Sequence, residues 1–66
     1  MLTLYDLLNP MDLDSELEVF YEGLEDKPII SGRRGVIDLP DNLFDAEVLK
    51  FIPGIITMIY IKMLGY

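Results

Sequence analysis

The sequence predicts an α+β fold: a four-stranded, mainly antiparallel sheet, an N-terminal helix and a short helical turn before the third strand. Three observations carry this expectation. From position 16 the chain alternates, with Glu16, Glu18 and Glu22 on one parity and Leu17, Val19 and Tyr21 on the other. That period of two marks a half-buried strand. Near the end, two runs rich in β-branched and aromatic residues are split by Pro53-Gly54, a pair suited to the centre of a type II turn. At the start, Thr3 stands three residues before Asp6, a spacing that caps a helix.

In chain order, Thr3 opens a short helix with Leu4, Leu7 and Leu8 on one face. Asn9-Pro10 closes it, because the residue before proline avoids the α region. Ser15 to Glu22 is the first strand, and Gly23 to Lys27 is a turn. Pro28 to Arg33 is the second strand, antiparallel because the connection is short. Pro40 to Asp45 is a helical turn, since proline fits a first turn whose N–H needs no partner. Leu43 and Phe44 are expected to point inward. Glu47 to Ile52 is the third strand and Ile55 to Met63 the fourth. The fourth is apolar on both parities, which predicts cover on both faces, from the N-terminal helix or from a second copy of the chain.

The 66 residues form a single small domain, 1–66. Such a chain buries only about 60% of its unfolded surface. No cysteine is present to add a crosslink. Yet 52% of the residues are hydrophobic, more than so small a globule can hide, so self-association or a partner is expected. No secretory leader is recognisable, and the apolar C-terminal stretch is cut by Pro53, Gly54 and Lys62. It falls short of the roughly 20 apolar residues that span a bilayer. A cytoplasmic protein with no membrane contact is expected.

The chemistry of the side chains points away from catalysis. There is no His or Cys, and nothing frames the few hydroxyls as nucleophiles. A carboxylate pair needs a cleft that raises one pKa, and this chain has little depth for one. Asp12, Asp14 and Glu16 repeat the start of a calcium loop, but the sixth and twelfth positions are Leu17 and Gly23 instead of Gly and Glu. No metal and no cofactor are expected. Arg33 and Arg34, between Gly32 and Gly35, either fork a phosphate or pair with nearby acids.

Charge placement is the sharpest feature. The net charge is −7, and residues 1–26 hold eight acids and no base. Direct nucleic-acid binding is disfavoured, since it requires cations that displace counterions. A basic protein is the natural opposite. On a strand, residues i and i+2 stand about 6.6 Å apart. Asp12, Asp14, Glu16, Glu18, Glu22, Glu25 and Asp26 are therefore expected to form a band of negative charge comparable with a phosphate track. Phe20, on the carboxylate parity, is expected as an apolar anchor within it. The plainer alternative is an acidic face kept for solubility and against edge-to-edge pairing.

The layout is also similar to a known group. An acidic first strand and a glycine-broken hairpin precede the turn L-P-D-N-L-F at 39–44. The segment E-V-L-K-F-I-P-G at 47–54 and a β-branched last strand follow. In this order the chain resembles small acidic phage and prophage proteins, among them anti-CRISPR inhibitors of type II effector nucleases. The resemblance implies a phage-encoded protein, acting in the host cytoplasm, that blocks a host nuclease. It carries no functional residue over.

Together these readings predict a non-enzymatic acidic protein that inhibits a nucleic-acid-binding defence enzyme by occupying its basic groove. Such a partner includes a CRISPR effector nuclease. The alternative is a small homo-oligomeric assembly protein, joined through Ile56, Met58, Ile59 and Tyr60.

Overall fold

A computed structural model describes residues 1–63 of the chain. The elements run α1 (Leu4–Leu8), β1 (Glu16–Tyr21), β2 (Ile30–Arg33), α2 (Asp41–Phe44), β3 (Val48–Ile52) and β4 (Ile56–Ile61). The α+β class, the four strands and both helical pieces match the expectation from sequence. The strands are shorter than expected. β2 begins at Ile30 rather than Pro28, and β4 spans Ile56–Ile61 rather than Ile55 to Met63.

The sheet order is β2-β1-β4-β3. The hairpins β1–β2 and β3–β4 are antiparallel, and β1 lies parallel to β4 at the centre. The central pair has a physical cause. Leu17 and Val19 of β1 and Ile59 and Ile61 of β4 are fully buried, and the strands richest in buried residues take the middle of a sheet. Their register sets Val19 beside Ile59 and Tyr21 beside Ile61.

Both helices cover one face. Leu4 and Leu8 from α1, Leu43 from α2, and Ala46 join Leu17, Val19, Val48, Ile59 and Ile61 in one core. Each of the leucine, valine and isoleucine side chains contributes roughly 1.5–3 kcal/mol on burial. Thr3 and Asp6 form the reciprocal capping box, each backbone N–H donating to the other's side chain at 3.2 Å. Tyr5 meets Phe44 edge-on at 6.1 Å, which ties α1 to α2. The N-terminal segment also pairs with the chain ahead of β3. Leu4 N–H donates to Ala46 O at 2.9 Å, and Val48 N–H donates to Leu2 O at 2.8 Å.

Arg34 has a structural task. Its Nε donates to Leu8 O at 3.0 Å, at the end of α1 where carbonyls lack helical partners. A cation at a helix C-terminus also meets the favourable end of the dipole. This gives Arg34 a backbone partner that neither reading from sequence, the phosphate fork or the acid pair, had named. Gly32 holds φ near 141°, a backbone angle that strains any side chain, and a Cβ there would also press on Ile37 Cγ2 at 3.0 Å, so the position favours glycine.

Candidate protein-binding surface

β1 is extended, and its alternation does what its sequence predicts. Leu17 and Val19 turn to the core, while Glu16 is exposed and Glu18 is partly exposed on the opposite face. That opposite face has no helical layer among the described residues. The strand register shows what stands beside the carboxylates. Glu16 lies between Arg33 of β2 and Ile56 of β4, and Glu18 between Ser31 and Met58. Ile52 of β3 follows next to Met58. Ile52 and Ile56 are exposed at 45% and 41%.

The face is thus mixed. An exposed aliphatic strip runs alongside two carboxylates, with Arg33 at one corner. A shallow groove of about 260 Å³ opens there, lined by Glu16, Glu18, Ser31, Gly32, Arg33 and Ile56. The sequence reading treated the carboxylates as an unbroken anionic track. Arg33 was expected near acids, but that its cross-strand neighbour is Glu16 follows only from the register, which is not visible in one strand alone.

Phe20 is a correction. It shares the parity of the glutamates, yet it is only 5% exposed. Its ring stacks on Tyr60 at 5.3 Å and 18°, and Lys50 Nζ sits 4.6 Å over the Tyr60 ring. Phe20 and Tyr60 are direct neighbours across the parallel pair, close enough for their rings to shield each other. Phe20 is therefore a packing residue and not an exposed anchor.

The remaining acids flank the strand. The turn Tyr21-Glu22-Gly23-Leu24 is closed by Leu24 N–H donating to Tyr21 O at 3.0 Å. Gly23 carries φ of 86°, as the third position of a type II turn requires. Glu22, Glu25 and Asp26 are exposed at this end. Asp12 and Asp14 are exposed at the other end, in a turn where Ser15 N–H donates to Asp12 O. The seven acids therefore split into two strand residues and two end groups. Among the described residues, no three acidic side chains converge as a metal site.

The expected oligomer surface also changes. Ile59 is fully buried in the core and Tyr60 is 7% exposed under Lys50, so neither is available to a second chain. Their burial follows from the central position of β4, covered by α1 and α2 on one face and by the aromatic stack on the other. Ile56 is exposed and Met58 partly so. The apolar exposure that sequence reasoning missed lies next to them, at Leu49, Phe51, Ile52 and Ile55. These four, with Ile56, crowd a Pro-Gly turn, and that was the available signal, since turns are surface features. No protein-family model, curated protein or solved structure matches this chain.

Proposed function

We propose that the protein is a non-catalytic binding protein that docks its uncovered sheet face on a basic protein surface. In this reading the target is a nucleic-acid-binding enzyme, a CRISPR effector nuclease among the candidates, and occupation of its groove blocks substrate. The observation that supports it is the placement of Glu16 and Glu18 beside exposed Ile52 and Ile56 on a face without a second layer. Interfaces combine an apolar centre with a polar rim, and complementary charge speeds and orients the encounter. Glu22, Glu25 and Asp26 extend the negative potential past one end of β1, and Asp12 and Asp14 past the other.

The test is DNA cleavage by a guide-loaded type II effector nuclease, titrated with this protein at low and at physiological salt. Stoichiometric inhibition that weakens as salt rises is expected, because exposed charges are screened within about 10 Å at 0.1 M. Combined Glu16→Lys, Glu18→Lys and Glu22→Lys substitution should abolish inhibition without unfolding the chain. Inhibition that survives the triple reversal refutes the electrostatic mechanism, and absence of any inhibition refutes this choice of target.

A further inference from the structure

The β3–β4 hairpin differs from the rest of the molecule in charge, exposure and hydrogen bonding. All twelve Asp and Glu residues lie at or before position 47, while residues 48–63 contribute only Lys50 and Lys62. Leu49, Phe51, Ile52, Ile55 and Ile56 are all exposed, Ile55 at 97%. β3 is also an edge strand. Its first residue is closed off by Leu2. Past Val48, no described segment pairs with its outer side. Lys50 does not guard that edge, because its ammonium lies over Tyr60. Edges left apolar and unguarded accept another strand.

We infer that two copies of the chain pair antiparallel through the free part of β3, packing Phe51 against its equivalent and Leu49 of each copy beside Ile55 of the other. A second copy fits this surface better than a basic partner does. A molecule of net charge −7 repels its own copies wherever carboxylates face each other, and this hairpin is where two copies meet without them. A basic partner finds no carboxylate between residues 48 and 63 to pair with. A two-fold axis normal to the sheet brings β3 against itself in the antiparallel direction, so the contact is self-complementary and closed. The product is one continuous sheet with both uncovered faces on the same side. Five strand spacings then separate the two β1 strands, about 24 Å at the usual interval.

Sedimentation equilibrium of the full chain over a range of concentrations tests this. Wild type should sediment as a dimer, and Phe51→Glu and Ile55→Glu should each weaken association at least tenfold, with circular dichroism confirming the fold. Should Phe51→Glu fail to fold, Ile55→Glu decides alone, since that side chain is almost wholly in solvent. Combined Glu16→Lys and Glu18→Lys substitution should leave the dimer intact. Added salt should tighten it by screening net repulsion, the opposite of its effect on binding a basic target. Single-chain mass at every concentration, a polydisperse aggregate, a dimer that survives Ile55→Glu, or one that loosens in salt overturns the inference. None of these outcomes bears on the inhibition assay.

Discussion

Replacing Phe20 by alanine separates a packing residue from a binding anchor. The ring is 5% exposed and stacked at 5.3 Å on Tyr60. Burial of a phenylalanine side chain is worth roughly 1.5–3 kcal/mol, and an offset aromatic pair adds about 0.5–1.5 kcal/mol. The site lies on the sheet face without helices, so neighbouring side chains and water partly fill the gap. The expected loss is therefore about 3 kcal/mol, the low end of the range for phenylalanine-to-alanine changes in cores. At roughly 0.05–0.15 kcal/mol per residue, a 66-residue chain has only about 3–10 kcal/mol in total. Phe20→Ala should thus move the urea midpoint a large part of the way to zero, while Phe20→Leu costs about half as much. Urea melts followed by circular dichroism measure both. A Phe20→Ala unfolding free energy within about 0.5 kcal/mol of wild type, inside the range of surface substitutions, would mean that the ring is not buried, and the aromatic stack would carry no stability.

The other predictions concern local features. Thr3→Ala removes one half of the capping box and should cost about 1 kcal/mol, a fall in Tm of about 4–8 °C in a thermal melt. Arg34→Ala removes one of the two donors to Leu8 O and leaves Met11 N–H; a loss of about 1 kcal/mol is expected, and an unchanged denaturation midpoint would show that the bond carries nothing. Gly32→Ala combines a backbone angle hostile to side chains with a 3.0 Å contact to Ile37. It should destabilise by about 2 kcal/mol, read by the same melts.

Much of the fold was legible because its signals are local. The capping pair at Thr3 and Asp6, the alternation through β1 and the Pro53-Gly54 turn each depend on residues a few positions apart. The inward turn of Leu17 and Val19 followed from parity alone. The parallel pairing of β1 with β4 did not. It joins segments 40 residues apart in sequence, and nothing in either strand names its neighbour. The same gap explains the misplaced site residues. Phe20, Ile59 and Tyr60 were read as available because parity gives the face of a strand, not what lies across it. Phe20 and Tyr60 are hidden by each other, and Ile59 by the helices.

The amino-acid sequence by itself determined the number and kind of elements, the excess of charge in the first third and the direction of each β1 side chain. These rest on backbone sterics and on the period of a strand. Tertiary structure alone decided that Arg33 stands beside Glu16, that Arg34 closes the end of α1, and that the exposed apolar surface gathers at the β3–β4 hairpin. Those outcomes depend on register and layer order, which are set by which buried faces meet when the whole chain closes.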